Sequence, residues 1–216
     1  MILKRLQVIT PQKGLKTNSY IICDEKSKEA MVIDPGGEPE RIAETLDILG
    51  ANLKYIFLTH CHADHIGGIA ELKKIKGGKI LVSRPDSEGL YKKEINLAEY
   101  INMEVPELEA DSRVDDEDLI HIGEIEFKVI ATPGHTKGGL CLYAENEGLV
   151  FTGDTMFSGT WGRTDLPTGS FVELITSITD RLMPLPDDTI VYPGHGKITM
   201  IQDERNIYIE LREKDF

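Results

Sequence analysis

Two hydrophobic rhythms share this chain, one continuous or of period two, the other of period three to four. The short apolar and β-branched runs SYIIC, AMVID, YIFLT and KILVS predict strands. The charged segment DEKSKE between the first two predicts a hairpin. In EPERIAETLDILG, Ile42, Leu46 and Leu49 recur at helical spacing and Gly50 supplies a stop. YIFLT is apolar without a break, as in a strand covered on both faces, and IGGIAELKKIKGG behind it predicts a helix closed by glycines. LIHI, IEFKVIAT, GLCLYAE and LVFTGD predict four more strands with tight turns at GE and NEG. FVELITSITDRLM places Phe171, Leu174, Ile178 and Leu182 on one helical stripe. TIVYPGHG predicts a last strand running into a loop, and a short terminal helix follows. Residues 84–117 are acidic and weakly patterned, and predict an insertion over one face. Without a linker or short-period repeat, the pattern predicts one layered α/β domain over residues 1–216.

Composition narrows the partners. With 40% hydrophobic and 28% charged residues, the chain suits a soluble globular protein with a sizeable core. A formal net charge of -13 speaks against nucleic-acid and anionic-membrane partners, and no apolar run approaches a membrane span. An anionic substrate would therefore need local cations to draw it in. The start, MILKRLQVIT, has basic residues but neither an apolar signal core nor a cleavage site. Three cysteines, odd in number and without a CxxC, fit a reducing cytoplasm better than a disulfide framework.

Chemistry concentrates in THCHADHIGG, which holds three of the six histidines. Residues two apart in extended chain point the same way, with Cα atoms about 6.6 Å apart. His60 and His62 can thus converge on one ion at the bond length of about 2.0–2.1 Å that imidazole requires. Asp64 and His65 follow where the chain turns into a helix, so they can face a second ion. Further candidates recur in matching contexts: His135 in TPGHT, Asp154 in FTGDT and His195 in YPGHG. Each lies in a glycine-containing loop just past an apolar strand, where α/β sheets place their chemistry. Seven donors exceed one tetrahedral zinc but suit two metals sharing a carboxylate. Such a pair holds a hydroxide at neutral pH and polarises a carbonyl or phosphoryl oxygen. Cys61, between two ligand candidates, should point away from them and pack, and His121 in LIHIGE reads as a solvated strand residue.

The set HCHADH, PGHT, GD and PGHG, in order from the VIDPGG strand end to the last histidine, resembles the metallo-β-lactamase fold hydrolases. The resemblance implies a four-layer αββα sandwich. It also implies one metal on His60, His62 and His135, a second on Asp64, His65 and His195, and Asp154 bridging them. Asp64 and Asp154 are then the expected catalytic carboxylates, with Asp64 orienting the hydroxide. Asp34 would steady a ligand by hydrogen bonding, while also forming a turn before Pro35. The expected cofactors are two divalent ions, zinc first, although iron and manganese suit the same donors.

The spacing, Asp154 and SGTWGRTDLPTG look most like short single-domain bacterial glyoxalase II proteins, which hydrolyse thioesters such as S-lactoylglutathione. Longer glyoxalase II proteins draw glutathione contacts from a C-terminal helical domain, so the resemblance leaves the thiol carrier open. Arg163 and Asp165 in GRTD are expected either to pair and hold the loop or to leave Arg163 for a substrate carboxylate. A mono-iron persulfide dioxygenase is the main alternative, using positions that match His60, His135 and Asp154. A metallo-nuclease is disfavoured by the acidic balance, and a non-catalytic metal-binding module by the complete donor set.

Overall fold

The computed structural model describes residues 1–10 and 14–212. The chain divides into two compact units, Met1–Val114 with His121–Ile125, and Asp115–Ile120 with Glu126–Phe216. No helix among the described residues is long and apolar enough to cross a membrane.

The first unit is built on a six-stranded sheet. Its strands are β1 (Ile2–Ile9), β2 (Lys16–Cys23), β3 (Glu29–Ile33), β4 (Asn52–Phe57), β5 (Lys79–Ser83) and β6 (Ser112–Val114), side by side in that order. The first three are antiparallel neighbours, and from β3 onward the pairs are parallel. Parallel pairs need crossovers. Helix α1 (Pro39–Leu49) joins β3 to β4, and α2 (Ala63–Ile66) with α3 (Ile69–Lys76) joins β4 to β5. Proline at the first turn and Gly50 in the left-handed region at φ 62° bound α1, whose Ile42 and Leu46 are buried as the spacing predicts. Because β3 and β4 run in the same direction, the residues after them leave the sheet at one edge. Asp34 follows β3, the histidine run follows β4, and the Asp34 N–H donates to the Phe57 carbonyl at 3.0 Å.

Residues 84–117 are more than the expected cover. Leu90, Ala98, Met103 and Val105 belong to the unit's buried core, and Ser112–Val114 is a strand of the sheet. A three-residue strand, SRV, with two exposed positions carries too little hydrophobic pattern to be read from sequence. A single-turn helix α4 (Lys93–Asn96) lies within the stretch.

The second sheet runs β14-β13-β10-β9-β8-β7. These strands are β7 (Leu119–Ile122), β8 (Ile125–Ala131), β9 (Leu140–Ala144), β10 (Leu149–Gly153), β13 (Ile190–Pro193) and β14 (Thr199–Met200). Between β10 and β13 come the hairpin β11 (Met156–Phe157) and β12 (Thr160–Trp161) and helix α5 (Phe171–Ser177), and α6 (Ile201–Arg212) follows β14. β8 and β10 each run antiparallel to β9, and β10 runs parallel to β13. β8, β10 and β13 therefore point the same way and end at one edge of the sheet. His135, Asp154 and His195 follow those three ends. The expected helix over residues 171–183 starts with Ser170, whose hydroxyl accepts the Glu173 N–H, but it widens to a π turn over Ile178–Leu182. Leu174, Ile178 and Leu182 stay buried with Val150, Val191 and Tyr208.

Candidate metal centre

In the first unit, one carboxylate organises two imidazoles. Asp34 is buried and accepts three hydrogen bonds. Its Oδ1 takes the Thr59 N–H at 2.8 Å, while Oδ2 takes the Thr59 hydroxyl at 2.6 Å and His65 Nδ1–H at 2.9 Å. Since the Thr59 hydroxyl donates to Asp34, it accepts from His60 Nδ1–H at 3.1 Å. A carboxylate and an already-donating hydroxyl can only accept here, so the ring protons of His60 and His65 are placed on Nδ1. Each Nε2 is thereby left as the basic nitrogen. The rings of His60 and His65 lie 4.1 Å apart by centroid, and those of His60 and His62 lie 4.7 Å apart edge to face. Oδ2 of Asp64 is 3.8 Å from Nε2 of His65. Asp34, His60 and His65 could by proximity hold an ion themselves, but Asp34 already spends both oxygens on hydrogen bonds.

The backbone allows this closeness at a glycine. A Cβ on Gly36 would fall 1.8 Å from the Asp64 carbonyl oxygen, so only glycine lets the loop after β3 lie on the histidine turn. Cys61 is buried against Gly89, where a Cβ would come 2.3 Å from its sulfur, and it takes the packed position expected of it.

In the second unit, Asp154 lies between two histidines. Its Oδ2 is 3.6 Å from Nε2 of His135 and 3.4 Å from Nε2 of His195. His135 Nδ1–H donates to the backbone carbonyl of Arg163 at 2.7 Å, which again aims Nε2 as the donor. The Arg163 guanidinium makes two 2.8 Å hydrogen bonds to Asp165. Both side chains are exposed, and the guanidinium's hydrogen bonds hold the Asp165 carboxyl down to about 2. His121 is an exposed residue of β7.

Imidazole nitrogens backed by acceptors, with carboxylates beside them, form a donor set suited to a divalent cation. Two contributors, the Thr59 hydroxyl and the Arg163 carbonyl, lie outside the set expected from sequence. Thr59 directly precedes the histidine run and is a visible hydroxyl there, whereas a backbone carbonyl leaves no mark in a sequence.

Comparison with known proteins agrees with this chemistry. The model of the metallo-beta-lactamase superfamily matches residues 13–195. The chain belongs to that superfamily. Among its relatives, an uncharacterized protein of Aquifex aeolicus is 40% identical over 91% of this chain and 92% of its own length. The hydroxyacylglutathione hydrolase GloC of Haemophilus influenzae is 35% identical over 91% of this chain and 93% of its own. Of solved structures, the B3 metallo-beta-lactamase BLEG-1 superposes with a TM-score of 0.87 at 30% identity, over 95% of this chain and 97% of that one. TTHA1623 in a di-iron-bound form superposes at 0.78 with 31% identity, over 91% and 94%. The chain thus has the α/β metallo-β-lactamase fold and is related to hydrolases of the glyoxalase II kind.

Proposed function

We propose that this protein is a dinuclear metal-dependent hydrolase of acyl-thioesters of the S-lactoylglutathione class. One observation carries the two-metal reading. A single carboxylate oxygen of Asp154 faces Nε2 of both His135 and His195, at 3.6 and 3.4 Å, as a carboxylate shared between two cations would. The allotment of His60, His62 and His135 to one ion, and of Asp64, His65 and His195 to the other, follows the family resemblance. Bound divalent cations would bring water to ionise near neutral pH and would polarise the carbonyl. Zinc is the ion proposed, and the di-iron-bound TTHA1623 is a similar protein that takes iron.

The chain's own residues prepare the chemistry. Asp34, Thr59 and the Arg163 carbonyl accept the Nδ1–H groups of His65, His60 and His135, so in each neutral ring Nε2 is the nitrogen that offers its lone pair. Asp64, whose Oδ2 lies 3.8 Å from Nε2 of His65, would orient the attacking hydroxide. A thiol of pKa about 8.5 leaves as thiolate without a strong acid. That suits a site in which every histidine but His121 is allotted to an ion. The named Haemophilus relative supports the thioester, and the net charge of -13 supports a small-molecule partner over nucleic acid. The test is relative rate. S-lactoylglutathione or a related acyl-thioester should be cleaved far faster than the matching amide or a phosphodiester, and dominant phosphodiester cleavage would overturn the assignment.

A further inference from the structure

Helix α6 carries a carboxylate in its buried stripe. Ile201, Glu204 and Tyr208 recur three and four residues apart, and all three are buried, Glu204 to 2% exposure. A buried carboxylate is costly unless its oxygens accept hydrogen bonds. Both do: Oε2 accepts the Gly159 N–H at 2.8 Å, and Oε1 the Thr199 hydroxyl at 2.6 Å. One turn further, the Tyr208 hydroxyl donates to the Thr160 carbonyl at 2.8 Å, and its ring meets that of Trp161 at 6.3 Å. The helix thus holds the β11–β12 hairpin at its turn, through a backbone donor and a backbone acceptor.

That hairpin and its next two residues touch each metal-ligand candidate of the second unit. Phe157 meets His195 edge to face with centroids 6.1 Å apart. Gly162 lies so close to Asp154 that a Cβ would come 1.9 Å from the Asp154 carbonyl oxygen and 3.0 Å from His135 Nδ1. Arg163 then supplies the carbonyl that fixes His135. Helix α6, the hairpin and three ligand loops form one connected path.

We propose that Glu204 and Tyr208 are positioning residues for metal binding, which through the β11–β12 hairpin set where His135, Asp154 and His195 present their donor atoms. The inference rests on the reading of those three residues as ligands. It also accounts for the carboxylate in an otherwise apolar stripe, because a backbone N–H at the hairpin turn and the Thr199 hydroxyl both require an acceptor. The hydrogen bonds of Glu204 and Tyr208 go to Gly159, Thr199 and Thr160 rather than to a ligand candidate, so the role assigned to both is positioning.

The test uses the full chain with Tyr208→Phe, which keeps the ring and removes only the hydroxyl, and Glu204→Met, which keeps the length of the side chain and removes both acceptor oxygens. Zinc affinity is measured by chelator competition, and the histidine ring nitrogens of the metal-free protein are followed by NMR. Affinity in each variant should fall about tenfold, the lower end of what losing an outer-shell partner costs. The ring signals of His135 and His195 should move while those of His60 and His65 stay in place. Wild-type affinity with unmoved His135 and His195 signals would overturn the proposal. So would a shift of all the histidine signals together, which marks general loosening of the protein. If the wild-type chain itself binds no zinc, the metal reading fails instead, and the metal-free ring signals still decide whether α6 positions the two histidines.

Discussion

Asp34→Asn probes the carboxylate that serves two imidazoles. The Asp34 backbone sits at φ 50°, a left-handed conformation that Asn also tolerates, so the change alters charge and hydrogen bonding while keeping volume and backbone. An amide oxygen can keep the 2.8 Å bond from the Thr59 N–H. Its NH2 then stands where Oδ2 accepted the Thr59 hydroxyl and His65 Nδ1–H. Donor faces donor. The Thr59 hydroxyl can rotate away, but His65 relieves the conflict only by moving its proton to Nε2, the nitrogen that should bind the cation. Loss of such an outer-shell partner lowers metal affinity about 10–100-fold, equivalent to about 1.4–2.7 kcal/mol. Chelator competition with zinc gives the affinity, and ring-nitrogen NMR of the metal-free protein gives the tautomer. Unchanged affinity together with a retained Nδ1 proton on His65 would refute the reasoning.

Other perturbations should separate ligand from scaffold. Asp154→Ala should lose bound metal and activity, whereas His121→Ala, at an exposed strand position, should retain both; equal losses measured by elemental analysis and assay would undo the ligand map. Arg163→Ala breaks an exposed ion pair but keeps the carbonyl that holds His135, so metal content should be preserved; loss of an equivalent would bring the guanidinium into the site. Burial pushes the Cys141 thiol up to about 11, which favours the neutral form in the folded protein. Its contribution to stability is full below the unfolded thiol's pKa of about 8.5 and is lost as pH rises through the folded value. Denaturant melts should therefore weaken across that alkaline range in the wild type, and less so in Cys141→Ala. All three cysteines are buried, so a thiol reagent should label the native chain slowly and the unfolded chain fully.

The sequence announced whatever rests on periodicity or on clustered donors. The β2–β3 hairpin, α1, the strands from β7 to β10 and the loops bearing His135, Asp154 and His195 all stand where the patterns predict them. Elements without a strong pattern escaped it. β1 is a mixed run of basic and apolar residues that acquires its role by pairing with β2, and β6 is three residues long beside β5. Tertiary fit also broke two predicted helices, at Gly67–Gly68 between α2 and α3 and at the π turn after α5. The donors could be read because imidazole and carboxylate are scarce groups with distinctive chemistry. Their supports could not. A threonine hydroxyl, a backbone carbonyl and a buried glutamate on a terminal helix look ordinary until the chain brings them to the ligands.

Titration of the metal-free protein with zinc under argon, while following thiol release from S-lactoylglutathione, tests the central claim most directly. Release should rise to its maximum at two equivalents per chain and should be unaffected by the absence of oxygen. Failure to release thiol at any zinc loading, with one equivalent of iron instead supporting oxygen uptake on glutathione persulfide, would contradict the two-metal thioester hydrolase.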